Sequence, residues 1–367
     1  MSRQPRTMRS PYIEWAKLHS AARYKLAGSG IKSYPLADLP VRLDQLEIDG
    51  PDSYGYPPLQ ERLAKRNGVA VDCVVAATGT SMANHLAMAA LIQPGDEILM
   101  EQPTYELLLS LAQYLGAKVL RFPRRFEDGF AIDPQAIRKN LTKRIRLIVI
   151  TNLHNPSSAL VDEKTLTSIG EMAEQLGARV LVDEVYREAI FDQPTRSAFH
   201  LGNHFVVTSS LTKAYGLSGL RCGWILAEPA LAERIWRLND LFAATPAHPA
   251  ERLSVIAFDH LPQIQARAAK ILETNRRALT SFVRSRNDLE CILPTHGTTV
   301  FPRLRRGSVD DFCDLLRKKY ETSVVPGRFF EMPDHFRIGI GGDTEITATG
   351  LERLAQALDD YNRQLGR

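Results

Sequence analysis

Val180-Leu181-Val182-Asp183-Glu184-Val185-Tyr186 sets a carboxylate at the end of a short apolar run, and Val206-Val207-Thr208-Ser209-Ser210-Leu211-Thr212-Lys213 sets a lysine just past the end of another. Runs this short, rich in branched residues and apolar on both faces, read as strands of a sheet covered on both sides. These two are predicted as strands Arg179–Asp183 and Phe205–Ser209. The same pattern recurs at Cys73–Thr78, Glu97–Glu101, Lys118–Phe122, Arg146–Thr151 and Gly223–Ala227. Helix-length segments stand between them: Ser81–Ile92 stops at Gln93-Pro94-Gly95, Tyr105–Leu115 at Gly116 and Asp162–Leu176 at Gly177. This alternation predicts an α/β domain over residues 45–250, with a mostly parallel seven-stranded sheet and helices on both faces.

The pattern changes after about residue 250. Glu251–Arg284 reads as one long or broken helix. Short strands are predicted at Cys291–Leu293, Thr298–Leu304, Ser323–Val325 and Phe336–Ile340, with helices at Val309–Tyr320 and Glu345–Leu365. Residues 251–367 thus read as a smaller α+β domain. Residues 1–44 carry one amphipathic stretch, Ile13–Ala22, then Gly28-Ser29-Gly30; they form an arm or join the tail domain.

The chain has 367 residues, room for two or three domains at roughly 100–200 residues each. Hydrophobic residues make up 44% and charged residues 24%, which excludes a disordered, collagen-like or disulfide-stapled chain. The net charge is only +4, and no basic run is interleaved with aromatics, so nucleic acid is not an expected partner. Four cysteines with no CxxC spacing read as reduced thiols of a cytoplasmic protein. Met1–Ser10 is polar and basic, unlike a signal peptide. No apolar run approaches the ~18 residues of a membrane helix, so no membrane association is expected. Nine histidines show no metal-ligand spacing, and no metal is expected.

The common catalytic signatures GxxxxGK[ST], HExxH and GxSxG are absent, and Gly28-Ser29-Gly30 lacks the third glycine of a dinucleotide loop. What remains is a set of polar residues at the C-terminal ends of the predicted strands, where open α/β sheets bind ligands. Thr78-Gly79-Thr80-Ser81 is a plain helix cap or an anion cradle. Asn155-Pro156 is a turn or presents an amide to a ligand. Asp183 is a cap or the partner of a buried cation. Lys213 is a surface residue or a Schiff-base nucleophile with a lowered pKa. Arg221 forms an ordinary ion pair or receives a phosphate or carboxylate. Taken together they fit one cofactor. Pyridoxal 5′-phosphate needs a lysine for its aldehyde, an anion site for its phosphate and an acid opposite its ring nitrogen.

The chain resembles the fold-type I pyridoxal-phosphate enzymes, specifically the class I/II aminotransferases of the aspartate aminotransferase superfamily. The resemblance runs from about Ile13 to the C-terminus. It rests on Ser53-Tyr54-Gly55-Tyr56-Pro57, Thr78-Gly79-Thr80-Ser81, Pro103-Thr104-Tyr105, Asn155-Pro156, Asp183-Glu184-Val185-Tyr186, Ser210-Leu211-Thr212-Lys213, Gly219-Leu220-Arg221-Cys222-Gly223 and Phe336-Arg337-Ile338-Gly339. It implies that Lys213 carries the cofactor and moves the proton at the substrate Cα. Asp183 would pair with the ring nitrogen and Tyr105 would stack on the ring. Asn155 and Tyr186 would bond the ring hydroxyl. Thr80, Ser81, Ser210 and Arg221 would hold the phosphate, and Tyr54 would reach the phosphate of a partner subunit. Arg337, with Asn155, would hold the substrate α-carboxylate. A homodimer with shared active sites and a small domain made from both chain ends are implied as well.

Two departures matter. The family's Asn-Pro-Thr-Gly reads Asn155-Pro156-Ser157-Ser158, so either Ser158 takes an unusual backbone conformation or the turn differs. Where the family carries a Gly-x-Pro-Asp stretch, this chain reads Ala27-Gly28-Ser29-Gly30-Ile31-Lys32, and Ser29 is taken as the substrate-pocket residue. Arg23, Lys25, Lys32 and Arg328 are candidate cations for a distal carboxylate, and Tyr12, Trp15 and Tyr34 are candidates for an apolar wall.

The expected function is an aminotransferase that moves an amino group between an L-amino acid and a 2-oxo acid by a ping-pong route. The alternative on the same scaffold is a carbon–sulfur β-lyase or an amino-acid cyclase. A sensor domain of a regulator would need a DNA-binding element, for which the chain shows no room.

Overall fold

A computed structural model describes residues 7–51, 53–193 and 195–366; Met1–Arg6, the start of the polar N-terminal stretch, lie outside them. Seven strands form the central sheet: β1 (Val74–Thr78), β2 (Glu97–Gln102), β3 (Lys118–Pro123), β4 (Ile145–Thr151), β5 (Arg179–Asp183), β6 (Phe205–Ser210) and β7 (Cys222–Leu226). Their order is β1-β7-β6-β5-β4-β2-β3. The pairs β2–β3, β2–β4, β4–β5 and β5–β6 are parallel. Strand β7 runs antiparallel to both of its neighbours.

The inner strands are apolar on both faces because each face meets a helical layer, whereas the edge strand β3 is partly exposed and carries Lys118 and Arg121. Leu99, Ile148, Val180, Val182, Val207 and Trp224 belong to one core. Their sequence neighbours Ile98, Leu147, Val149, Leu181, Val206 and Ile225 belong to the other. All are essentially sealed from water, worth about 1.5–3 kcal/mol for each large aliphatic side chain.

Helix α1 spans Pro11–Leu18, α2 Pro57–Asn67, α3 Gly79–Leu91, α4 Glu106–Tyr114, α5 Pro134–Asn140, α6 Glu163–Gln175 and α7 Pro229–Asn239. Helices α3, α4 and α7 cover one face, through Leu86, Leu108 and Ile235. Helices α2, α5 and α6 cover the other, through Leu63, Ile137 and Ile169. The predicted helices at 81–92, 105–115 and 162–176 correspond to α3, α4 and α6 within two residues.

The stretch Glu251–Arg284 is two helices, α8 (His248–Asp259) and α9 (Leu261–Arg284), interrupted at His260 ahead of Pro262. Helix α11 (Thr344–Leu365) packs against both α9 and α10 (Val309–Tyr320). Phe336–Gly339 is the middle strand of a three-stranded antiparallel sheet, between Thr299–Val300 and Val325–Pro326. Two strand expectations are corrected here. Cys291–Leu293 is not a strand; Leu289–Glu290 pairs with Arg303–Leu304 instead. The run Thr298–Leu304 is split at Phe301-Pro302, since Pro302 has no N–H to give to a ladder. Tyr24–Lys25 pairs in parallel with Thr322–Ser323, so the N-terminal segment joins the C-terminal elements, as the resemblance implies. Among the described residues no helix is long and apolar enough to cross a membrane.

Beneath the sheet edge lies a fully buried ion pair. Glu101 in β2 accepts from Arg124 Nη1 at 2.7 Å and from Thr151 N and Oγ1 at 2.8 and 2.6 Å. Arg124 Nε donates to Phe130 O at 2.6 Å. Removing one partner leaves the other charge uncompensated in an apolar interior. Arg124→Ala should therefore destabilise the fold by about 3–5 kcal/mol in chemical denaturation. A loss below about 1 kcal/mol would mean that water reaches Glu101.

Candidate active site

The register of the sheet lines up its polar strand ends. Thr151 stands opposite Asp183, Asp183 opposite Thr208, Ser210 opposite Gly223 and Thr78 opposite Cys222. Because β7 runs against the others, it begins at this same edge and brings Arg221 to it. A cavity of about 320 Å³ opens there, lined among others by Ser29, Thr80, Ser81, Tyr105, Asn155, Asp183, Tyr186, Lys213 and Arg221.

Asp183 is buried at the floor. Asn84 Nδ2 donates to its Oδ2 at 2.8 Å and Val185 N to its Oδ1 at 3.1 Å. Thr208 Oγ1 donates to Asn84 Oδ1 at 2.6 Å and so orients the amide. Among the described residues no lysine, arginine or histidine forms an ion pair with this carboxylate. Burial raises its pKa to about 6, against these hydrogen bonds. Lys213 lies in the same cavity. Its Nζ donates to Ser29 Oγ at 3.1 Å, and burial lowers its pKa from the ordinary lysine value.

Polar groups cluster at the start of α3. Thr80 Oγ1 donates to Ser210 Oγ at 2.8 Å, Thr212 N donates to the same oxygen at 3.2 Å, and Thr212 Oγ1 is buried without a partner. No side chain caps this helix end, so its first N–H groups face the cavity side with the positive end of the helix dipole. Gly79 has φ +74, and a Cβ there would overlap the Arg221 guanidinium. That guanidinium donates to Thr78 O at 3.3 Å and Ser218 O at 3.2 Å, from a residue that itself has φ +52. Hydroxyls, helix N–H groups and a guanidinium make a site for a dianion.

On the opposite wall, Asn155 N donates to Thr151 Oγ1 at 3.0 Å and Asn155 Oδ1 accepts from Arg337 Nη1 at 2.9 Å. Arg337 Nη2 donates to Tyr12 Oη at 2.7 Å, and its Nε is buried without a partner. Tyr105 meets Tyr12 edge to face, ring centroids 5.8 Å apart. Tyr186 lines the same cavity, and burial raises its phenol above the usual range.

Ten of the expected residues thus come together: the nine that line the cavity and Ser210, which braces Thr80. Arg337 stands behind Asn155 and Tyr12. Tyr54 lies outside the cavity of its own chain, its hydroxyl donating to Asp240 Oδ2 at 2.9 Å, with Arg237 4.6 Å over its ring. Ser158 has φ +61, held by its Oγ donating to Thr299 O at 2.8 Å, so the turn keeps a left-handed residue without glycine. Of the distal cations, Lys25 lines the cavity. Lys32 pairs with Asp343, Arg23 with Glu321 and Arg328 with Asp310. Tyr12 and Trp15 line the mouth; Tyr34 sits under Arg267 instead. The sequence does not announce Asn84 or Thr212 as functional. The signal for Asn84 is its place three residues after Ser81 and four after Thr80, on the same helix face.

The raised pKa of Asp183 has a measurable consequence in the cofactor-free chain. Between the unfolded carboxylate pKa and about 6, the native state holds more protons than the unfolded one, so this residue costs stability as pH rises. Asp183→Asn should gain stability relative to the parent between pH ~4 and ~6, by up to about 3 kcal/mol. Denaturation curves across that range check it, and a pH-independent difference would show a carboxyl that titrates normally.

The family model of the class I and II aminotransferases matches residues 48–356. Capreomycidine synthase of Streptomyces vinaceus is 32% identical, over 96% of this chain and 95% of that protein. Arginine–pyruvate transaminase of Pseudomonas aeruginosa is 26% identical, over 88% and 87%. The crystal structure of a pyridoxal-phosphate-dependent aminotransferase from Streptococcus suis superposes with a TM-score of 0.91 at 27% identity, covering 96% of this chain and 98% of that one. A solved pyridoxal-phosphate-dependent cyclase shares the fold at a TM-score of 0.87 and 24% identity, covering 98% and 100%. The chain belongs to the class I and II aminotransferase family, and its cofactor is pyridoxal 5′-phosphate.

Proposed function

We propose that this protein is an aminotransferase that moves an amino group between an L-amino acid and a 2-oxo acid, with Lys213 as the residue that carries the cofactor and moves the proton at the substrate Cα. The observation that carries this reading is the pairing of two buried groups at neighbouring strand ends. One is an amine, Lys213, the other a carboxylate without a cation, Asp183, and both face one cavity. The residues fit the cofactor. Asp183 lacks the positive partner that a protonated ring nitrogen supplies. Thr212 Oγ1 lacks the acceptor that a phosphate supplies. Thr80, Ser81, Ser210 and Arg221 would hold that phosphate, while Asn155 and Tyr186 would bond the ring hydroxyl and Tyr105 would cover the ring.

When bound, pyridoxal phosphate supplies an electron sink for a bond broken at the substrate Cα. The chain supplies the rest. Burial keeps the Lys213 amine easy to deprotonate, as a base requires. Arg337, held by Asn155 and Tyr12, offers its fork to the α-carboxylate that all amino donors share. The aromatic wall excludes water from the reacting atoms.

Tyr54 supports a homodimer with shared sites, since it is exposed and lies outside the cavity of its own chain. Leu43 and Ile48, each 88% exposed, and Leu241, 78%, are apolar side chains that an interface would cover. Four unpaired cysteines suit the reducing cytoplasm.

A second reading, closure of a ring on the substrate amino acid, is supported by the full-length similarity to capreomycidine synthase. One experiment separates them. The cofactor-loaded protein is scanned for its visible absorption band against a panel of amino acids, and the products are analysed. Transamination converts the band to that of the aminated cofactor, yields the 2-oxo acid stoichiometrically without ammonia and needs an acceptor to continue. A product that retains its α-nitrogen and forms without an acceptor would establish ring closure. Ammonia and pyruvate from cystathionine would establish a lyase. Arg337→Lys should raise KM for all amino donors alike, by roughly 10- to 100-fold, because a fork becomes a point charge. A rise for one donor class alone would mean that Arg337 reads side chains.

A further inference from the structure

Residues 26–34 run as a strap between the lysine loop and the strand that carries Arg337. On one side, Ile31 N donates to Lys213 O at 2.8 Å and Tyr34 N to Gly216 O at 2.9 Å. On the other, Gly339 N donates to Leu26 O and Lys32 N to Gly341 O, both at 2.7 Å. The approach is so close that a Cβ on Gly339 would overlap the Gly28 carbonyl oxygen. Thr298 Oγ1 donates to Ser29 O at 2.8 Å. The backbone of Ser29 is thereby fixed against both the lysine loop and the Arg337 strand.

From that fixed backbone the Ser29 hydroxyl, buried, reaches Lys213 Nζ at 3.1 Å. A hydroxyl accepts from an ammonium and donates to a neutral amine, so it can serve the lysine in either protonation state. A lysine released from a covalent bond regains a four-carbon chain of free rotors. Proton transfer needs its nitrogen within about 2.6–3.2 Å of the proton it moves. Something must hold it there.

We propose that Ser29 is a positioning residue for Lys213: its hydroxyl holds the lysine amine whenever that amine is not bonded to the cofactor, and so keeps the base over the substrate Cα. This rests on the reading of Lys213 as the cofactor-bearing base. It replaces the expectation that Ser29 binds substrate, because the hydroxyl is engaged on the lysine side of the cavity rather than by Arg337. The role also belongs to this chain's own departure from the family's Gly-x-Pro-Asp stretch, where the side chain at the Lys213 contact is a hydroxyl.

The test uses Ser29→Ala and Ser29→Thr in the cofactor-loaded protein and in the cofactor-free chain. In Ser29→Ala, kcat and the rate of Cα hydrogen exchange into deuterium oxide should fall about tenfold, the scale of one lost hydrogen bond, with KM for amino donors within about twofold of the parent. Ser29→Thr, which keeps the hydroxyl, should recover most of the loss. In the cofactor-free chain, an amine-acylating reagent should modify Lys213 about threefold faster in Ser29→Ala, because the amine is no longer held. Should alanine disturb the strap, Ser29→Cys, with a weaker hydrogen bond at nearly the same size, carries the same expectation. Unchanged exchange and labelling would overturn the proposal. A rise in KM for all donors at constant kcat would overturn it too, by making Ser29 a substrate-binding residue. Borohydride reduction of loaded Ser29→Ala followed by peptide analysis keeps the underlying reading separate. Cofactor fixed to Lys213 leaves that reading standing whatever the kinetics. Cofactor on another lysine would overturn the reading and the proposal with it.

Discussion

A carboxylate held out of water with no ion-pair partner among the described residues is an unstable arrangement, and the Asp183 site is built around it. Two donors, Asn84 Nδ2 and Val185 N, keep the charged form within reach, while burial pushes its pKa to about 6. Such a group is poised for a cationic partner. A protonated ring nitrogen opposite this carboxylate would gain from the same desolvation that raises its pKa. The sheet makes this possible. Only strand ends in the middle of a parallel sheet can be sealed by helices above and below and yet open at one edge.

The second constraint is that the two walls of the cavity must keep a fixed separation. A continuous chain of hydrogen bonds runs from Arg124 through Glu101 and Thr151 to Asn155, and from Asn155 to Arg337. It ties the buried ion pair in the sheet to the arginine on the three-stranded sheet. The strap 26–34 closes the loop from the other side, bonded to the lysine loop and to the Arg337 strand. Arg337, Asn155 and Lys213 therefore sit in a frame braced twice. A frame of this kind makes proton transfer efficient without motion of the backbone.

Much of this was legible in the residues. Branched apolar runs that turn polar at their C-terminal ends mark β4, β5 and β6, and those ends line the cavity edge. The motif residues were readable because each has a chemical reason to stand at a strand end. What escaped was whatever depends on distant contacts. Asn84 is an ordinary polar residue until the fold sets it beside Asp183. Tyr12 reads as wall material until Arg337, far along the chain, donates to it. The antiparallel sense of β7 follows from tertiary pairing, and periodicity carries no direction. The short strands after residue 290 failed for a related reason. Two-residue pairings are set by their partners, so Cys291–Leu293 looked like a strand and Leu289–Glu290 became one.

The two readings proposed, transamination and ring closure, share the removal of the Cα proton, for which Lys213, Asp183 and Arg337 would do the same work. What differs lies further out along the substrate side chain. There the walls come from α1 and the segment after it: Tyr12, Trp15 and Lys25 line the mouth. Helix α1 is anchored to the start of α4. The Ser10 hydroxyl and Tyr12 N both donate to Glu106, at the start of α4 and next to Tyr105. The wall therefore has two parts: the Tyr12 hydroxyl accepts from Arg337 and its ring meets Tyr105 edge to face, whereas Trp15 packs on Phe329. A change at Trp15 leaves the Arg337 and Tyr105 contacts in place, and a change at Tyr12 does not.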